Sequence, residues 1–149
     1  MKNILFRKLI YVISVLSVGM TIVAGFTLPM LVNWYSKNVV NSEIHFSTTM
    51  FLYLTFIPFL IILMSVMKLS KKLLQGKPFC EESINELKII SICSFIDFVV
   101  YLLGTLFIYH NLLCFILTIA TMMVFIISSV IMELIKNGIE LKEEIDLTI

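Results

Sequence analysis

Four long stretches of the chain carry no charged side chain apart from a single carboxylate. Leu9–Ser36 holds 28 uncharged residues, and Phe46–Met67 and Asn111–Met132 hold 22 each. The remaining stretch, Ile89–Tyr109, has 21 residues, and Asp97 is its only Asp, Glu, Lys, Arg or His residue. About 20 apolar residues suffice for a helix to cross a bilayer. The pattern therefore predicts four membrane-spanning helices, at about residues 9–33, 46–67, 89–109 and 112–132.

Composition agrees with this pattern and limits the class of protein. Of the 149 residues, 60% are hydrophobic and 14% are charged, and the mean hydropathy is +1.05. Soluble domains carry roughly 25% charged residues. The segments between the stretches are too short for a soluble enzyme domain. We expect a single all-α domain over residues 1–149, an integral membrane four-helix bundle with helices that extend into the cytoplasm.

The positions of the basic residues predict the orientation. If the N-terminus is cytoplasmic and each stretch crosses once, ten of the eleven Lys and Arg residues lie inside and only Lys37 lies outside. Cytoplasmic loops are enriched in Lys and Arg. We therefore expect an N-in/C-in topology.

Residues 68–88 are expected to form a cytoplasmic helical hairpin. The second helix continues beyond the membrane to Gly76, a residue typical of a helix C-terminus. The third helix is predicted to begin near Cys80. Ser83 and Glu86 are a candidate capping box for its start.

Residues 133–149 are expected to form a cytoplasmic tail. The pattern predicts an amphipathic helix to about Glu144, with a possible break at Gly138. Docking of this tail on the hairpin would bring its acidic residues close to hairpin lysines. Exposed ion pairs contribute little to stability, so we expect them to orient the tail. The residues concerned are Glu140, Glu143, Glu144 and Asp146 of the tail and Lys68, Lys71, Lys72 and Lys77 of the hairpin.

The third stretch contains the polar side chains least expected inside a membrane. Ser94, Asp97 and Tyr101 follow one another at helical spacing, and Asp97 lies about 13 Å beyond Lys88 at 1.5 Å per residue. An ionised carboxylate at this depth costs about 2.5–3.5 kcal/mol on insertion scales. We expect Asp97 to be protonated and to face the bundle interior. Candidate hydrogen-bond partners are Ser94, Tyr101, Ser17, Thr21, Thr118, Thr121 and Ser128.

Two interpretations of Asp97 remain open. A neutral carboxyl could link helices by hydrogen bonds, which is a structural role. Alternatively, Asp97 could be a proton or cation site or a contact for a partner. Proton relays use chains of titratable groups, and one acid is not such a chain.

Small residues recur on the first helix at four-residue spacing. Ser17, Thr21 and Gly25 lie on one face, with Ser14 beside them. Such a stripe lets another helix backbone come close. It predicts a packing seam within the bundle; a homodimer seam and a ligand groove are the alternatives.

No pattern in the chain predicts catalysis or a cofactor. Three cysteines without a C-x-x-C pair favour neither disulfides nor zinc. The serine-hydrolase, metalloprotease, P-loop and dinucleotide fingerprints are missing. His45 and His110 are expected at the outer interface, as span-end residues or, alternatively, as a metal site or pH sensor. We expect no enzyme activity, catalytic residue, cofactor, metal or nucleic-acid partner.

Two cytoplasmic segments resemble a known family. Residues 76–82 read G-K-P-F-C-E-E and are followed by L-K-I-I at 87–90, and residues 138–149 read G-I-E-L-K-E-E-I-D-L-T-I. These resemble the G-x-P-F-[S/T]-x-E…L-x-x-I and G-x-x-L-K-E-E-N-D-L-T-[I/V] patterns of the bacterial membrane proteins grouped as domain of unknown function 2975. Cys80 and Ile145 depart from those patterns. The matching residues singled out as a cytoplasmic motif are Gly76, Pro78, Phe79, Glu82, Leu141, Glu144 and Asp146.

The resemblance implies a multi-pass protein of the bacterial cytoplasmic (inner) membrane with no assigned activity, of a kind often encoded beside a small helix-turn-helix repressor. We hypothesise a non-enzymatic regulatory or accessory protein, including an immunity-type role. Its expected partners are the lipid bilayer and either a protein held by the cytoplasmic hairpin and tail or further copies of the chain in a homo-oligomer. The alternative is a small oligomeric transporter or channel subunit that uses Asp97.

Overall fold

The computed structural model describes residues 2–35, 37–38, 46–108 and 112–147. Each of the four long helices in this part of the chain is long and apolar enough to cross a membrane. The all-α integral membrane fold predicted from the charge-free stretches is therefore confirmed. The elements are α1 (Lys2–Tyr35), α2 (Phe46–Leu74), α3 (Glu81–Leu103), a π-helical continuation of α3 (Gly104–Ile108) and α4 (Leu112–Leu147). The predicted interfacial residues His45 and His110 lie outside the described residues.

Helix ends on the hairpin side follow the expected chemistry. Gly76, two residues after α2 ends, has φ +74°, a left-handed conformation that favours glycine. The predicted helix stop is confirmed. Cys80 is extended and precedes α3, so the predicted start near Cys80 is also confirmed.

Two local predictions were wrong. Ser83 and Glu86 do not form a capping box, because Ser83 lies inside the first turn of α3 and Glu86 pairs with Lys68 instead. The helix also does not break at Gly138, since α4 continues to Leu147. One glycine costs a helix only about 1 kcal/mol relative to alanine, which the strong helix formers on both sides outweigh.

The helices pack in the order of the chain. α1 packs on α2, α2 on α3, and α3 on α4. Within the described residues no Cα atom of α1 comes within 8 Å of α3 or α4, and none of α2 within 8 Å of α4. The bundle is therefore open, with α3 in its interior. Ser17 and Thr21 of α1 consequently cannot serve as partners of Asp97.

The small-residue stripe of α1 is a packing seam within the bundle, as predicted. The hydroxyl oxygens of Ser14 and Ser70 on α2 lie 2.9 Å apart and share a buried hydrogen bond. Farther along the seam, the backbone at Gly25 lies against the ring of Phe56. A hydroxyl pair and a glycine thus hold α1 against α2, as expected where close packing and not the hydrophobic effect drives helix association.

Hydroxyl groups also join α3 to α4. The Ser91 Oγ lies 2.8 Å from the Ser128 Oγ and 3.2 Å from the Ser129 Oγ. One end of the same interface brings the hydroxyls of Thr105 and Thr118 to 3.3 Å. These contacts fix the rotation of α3, and with it the direction in which its polar residues point.

Candidate functional site

A row of polar side chains follows the buried side of α3. We call this row the polar seam and define it as Ser91, Ser94, Asp97, Tyr101 and Thr105. The residues are three or four positions apart, so they lie one above another along the helix. Asp97 is 2% exposed and Ser94 is 0% exposed. The prediction that Asp97 faces the bundle interior is confirmed.

The hydrogen bonds predicted for Asp97 are not formed. The Asp97 Oδ1 and the Ser94 Oγ are both buried without a partner. A buried polar atom without a partner costs about 1–3 kcal/mol. This pair is therefore an unexplained feature of an otherwise well-bonded interface.

The candidate donors on α4 have other partners. Thr118 donates to the backbone oxygen of Cys114, Thr121 to that of Leu117, and Ser128 to that of Phe125. Each of these hydroxyls thus donates to a backbone oxygen three or four residues earlier on α4. The prediction that they would bridge to Asp97 was wrong.

Tyr101 of the polar seam contacts two residues of α2. Its ring packs edge-to-face on Phe51 of α2, with centroids 5.9 Å apart and planes at 76°. Its hydroxyl interacts with Thr55, which is buried on α2, and Asp97 and Cys114 are near enough to act on it electrostatically. A helical side chain leans toward the N-terminus of its helix, so Tyr101 leans toward the turn that carries Asp97.

A cleft of about 430 Å³ lies at the end of the bundle away from the hairpin and tail. It lies between α1 and α4, whose Cα atoms stay more than 8 Å apart within the described residues. Tyr101 belongs to both the cleft and the polar seam, and Asp97 lies four residues before it on α3. The lining consists of Leu31, Val32, Tyr35, Thr48, Phe51, Leu52, Tyr101, Leu113, Cys114 and Leu117.

On the hairpin side, two ion pairs link α2 to α3. The Lys68 Nζ donates to the Glu86 Oε1 at 2.9 Å, and Lys72 pairs with Glu82. Glu82, a member of the cytoplasmic motif, is thus bound within the hairpin. Lys68 and Lys72 do not pair with the tail as the charge pattern suggested, because closer acids on α3 take them.

The two motif segments meet at Phe79 and Gly138. A Cβ placed on Gly138 would lie 3.2 Å from the Phe79 Cδ1, so glycine allows the ring to lie on the backbone of α4. The aromatic side chain is still 59% exposed. The hairpin and the tail therefore present one continuous surface.

Beyond this contact, α4 presents apolar and acidic side chains together. Leu141 and Ile145 follow Gly138 at helical spacing of three and seven residues, and each is 60% exposed. Phe79, Leu141 and Ile145 form what we call the tail surface. Residues 138–147 hold four acidic residues and one lysine, a net charge of 1 − 4 = −3, and the acidic members Glu140, Glu143, Glu144 and Asp146 are all exposed.

Cys80 lies at the start of α3 outside the spans. Its sulfur is 3.2 Å from the Ser83 Oγ. That hydrogen bond is the main cause of the lowered pKa of the Cys80 thiol; burial opposes it, and a backbone hydrogen bond with Ser83 and the charges of Lys72 and Lys77 lower the pKa further. Cys80 therefore ionises more readily than an unperturbed thiol.

The sequence pattern missed two relationships. The pairing of Ser91 with Ser128 and Ser129 was not predicted, although Ser91 lies three residues before Ser94 on the same stripe. The contact of Phe79 with Gly138 was not predicted either, and the break expected at this glycine hid it. Both relationships depend on how far one helix is rotated about its axis relative to the next, which a hydrophobic pattern does not specify.

Comparison with known proteins gives one match. The family model described as "Protein of unknown function (DUF2975)" matches residues 7–149. No curated protein and no solved structure matches the chain.

Proposed function

We propose that this chain, which belongs to the DUF2975 family, is a non-enzymatic accessory protein of the bacterial cytoplasmic membrane that holds a protein partner at its tail surface. Both termini and the hairpin would lie in the cytoplasm. The observation that carries the proposal is the contact of Phe79 with Gly138. It joins two separate segments, each carrying a family-like motif, into one exposed surface.

Exposed apolar side chains outside the predicted spans support this surface as a docking site. Apolar residues in the spans face lipid and need no other explanation. Phe79, Leu141 and Ile145 lie on the parts of the chain that extend beyond the predicted spans, yet each is 59–60% exposed. Contiguous apolar side chains rimmed by charge outside the membrane are typical of a protein-binding surface.

The charges indicate the kind of partner. The acidic residues beside Leu141 and Ile145 give the end of α4 a net charge of −3 over residues 138–147. Opposite charge speeds encounter and selects among partners. We infer a partner segment with apolar and basic side chains, most simply an amphipathic helix.

Site-specific photocrosslinking in native membranes tests the proposal. A photoreactive residue at Leu141 and another at Phe79 should capture the same protein. A probe at Ile127, which is exposed within a span, should not capture it. Capture of the same protein at all three positions would contradict the proposal, since it would reflect abundance in the membrane.

Two variants separate docking from insertion. Deleting residues 138–149 should abolish capture at Phe79 while the protein remains in the membrane. Replacing Glu140, Glu143 and Asp146 by Lys should weaken capture and remove its sensitivity to salt. Retained capture after the deletion would refute the proposed role of the tail.

A second candidate function is a transporter or channel subunit, and the partnerless Asp97 Oδ1 favours it. Because α1 and α4 do not close the bundle, such a pathway would need additional copies of the chain. Purified protein in liposomes should then show ion or proton flux that Asp97→Asn abolishes. Equal flux in both proteins would exclude Asp97 from any transport.

A further inference from the structure

We infer that Asp97 is an exchangeable proton-binding site, reached from the cleft between α1 and α4. The inference rests on two buried atoms, the Asp97 Oδ1 and the Ser94 Oγ, which lie one helical turn apart and have no partner. It does not depend on the docking role proposed above. A carboxyl with only a structural role should form hydrogen bonds with its neighbours. The hydroxyls of Ser91, Ser128, Thr105 and Thr118 do so in the same interface.

The surroundings offer Asp97 no compensating cation. On α3 itself, Cys93 and Tyr101 are the titratable neighbours, and neither is basic. Thr55 on α2 and Cys114 on α4 lie beside Tyr101. Residues 46–67 and 112–132, which cover the facing spans, contain no Lys, Arg or His. The carboxylate form is therefore not neutralised by any charged side chain of the facing helices.

The burial of Asp97 and Ser94 limits the ligands that can bind there. With Asp97 2% exposed and Ser94 0% exposed, a metal ion would have to lose most of its hydration shell to reach the carboxylate. A proton fits without moving a helix. It passes from hydronium to a carboxyl oxygen, an O–H bond forms, a water molecule is left, and the charge of the site changes from −1 to 0. The new hydroxyl can then donate to a neighbouring oxygen, which the carboxylate cannot do.

Tyr101 connects the site to the cleft. Its side chain lines the cleft and lies four residues, or about 6 Å of helix rise, from Asp97. The cleft is at the end of the bundle away from the tail. With both termini cytoplasmic, the proton would come from the outer medium.

The composition of the chain makes this site directly measurable. Asp97 and Asp146 are the only aspartates, and Asp146 is exposed on the tail. We would label the aspartate carboxyls with ¹³C in the full chain, in phospholipid nanodiscs, and follow the infrared carbonyl band of the protonated form. Asp97→Asn identifies which band belongs to Asp97, and Asp146 is the internal reference for an exposed carboxyl.

Between about pH 4 and pH 9, the protonated band of Asp97 should disappear reversibly as the pH rises, at a pH different from the value of about 4 for an ordinary aspartate, while the amide bands stay unchanged. A band that never changes, or one that follows Asp146, would overturn the inference. A shift produced by sodium chloride but not by choline chloride would also overturn it, because the ligand would then be a metal cation.

A pair of adjacent substitutions tests the route. Leu117 lines the cleft and Ile116 does not. Leu117→Trp should slow deuterium exchange of the Asp97 carboxyl several-fold after transfer to D₂O, whereas Ile116→Trp should leave the rate unchanged. Equal rates in the two variants would refute the cleft as the route even if the titration is observed.

Discussion

Gly25 of α1 lies so close to Phe56 of α2 that a Cβ at position 25 would be 2.5 Å from the ring Cζ. By contrast, a Cβ at Gly19, nearly two turns earlier on the same helix, would meet no atom within 4 Å. The two glycines therefore form a matched pair, one in the seam and one facing outward.

Gly25→Ala should destabilise the packing of α1 on α2. Overpacking costs about 1–3 kcal/mol, because the Phe56 ring must move away from α1. Gly19→Ala should be neutral or stabilising by up to about 1 kcal/mol, the helix-propensity difference. Thermal unfolding in detergent, followed by circular dichroism, measures both. Equal Tm values for the two variants would contradict this account of the seam.

The turn at Gly76 supplies a second prediction. Its φ of +74° costs an L-residue with a Cβ about 1–2 kcal/mol. Gly76→Ala should lower Tm, and Gly76→Asn should lower it less, because asparagine tolerates this conformation. If alanine and asparagine behave alike, the left-handed turn is not what requires glycine there.

The buried pair of Ser91 and Ser128 should contribute measurably to the stability of the interface between α3 and α4. Their hydroxyl oxygens are 2.8 Å apart, and interhelical hydrogen bonds in membranes average about 0.6 kcal/mol. A double-mutant cycle with Ser91→Ala and Ser128→Ala should return a coupling energy of that order. Ser17→Ala is the control, since among the described residues the Ser17 hydroxyl bonds only to the Ile13 oxygen of its own helix. A coupling near zero would show that the pair is held by packing alone.

Alkylation of Cys80 should begin at a lower pH than alkylation of an unperturbed thiol. The hydrogen bond from Ser83 and the charges of Lys72 and Lys77 lower its pKa, so more of the reactive thiolate is present at a given pH. Ser83→Ala should raise that pKa and move the rate profile to higher pH. Cys93 and Cys114 are buried and should react slowly in the folded protein, and Cys80→Ser gives the background. A rate profile unaffected by Ser83→Ala would contradict the assigned cause.

The same thiol reports the orientation of the protein. A membrane-impermeant maleimide should label Cys80 in inside-out vesicles and not in intact spheroplasts. Labelling from the outside would contradict the N-in/C-in topology predicted from the distribution of Lys and Arg. It would also remove the cytoplasmic partner and place the cleft on the inner side.

The parts of the fold that the sequence could predict are those that depend on single segments. Charge-free length predicts the spanning helices, Gly76 predicts the end of α2, and the depth of Asp97 predicts its burial. Each follows from the cost of placing one group in lipid or in a strained conformation.

The partners of these residues were harder to predict. Asp97 was expected to bond to hydroxyls on neighbouring helices, but α1 does not pack on α3, and the hydroxyls of α4 find closer acceptors on their own backbone. The contact of Phe79 with Gly138 likewise depends on the exact rotation of α4 beside the hairpin. A hydrophobic pattern shared by nearly all faces of a helix says little about that rotation.

The strictly consecutive packing of the helices has a consequence for biogenesis. When α2, α3 and α4 leave the translocon, each finds a packing neighbour already in the bilayer, because α2 packs on α1, α3 on α2 and α4 on α3. The average sequence separation between touching residues is therefore small, and such chains fold fast. Assembly can keep pace with synthesis, so that a ribosome-bound chain truncated after α3 already holds two of the three finished interfaces.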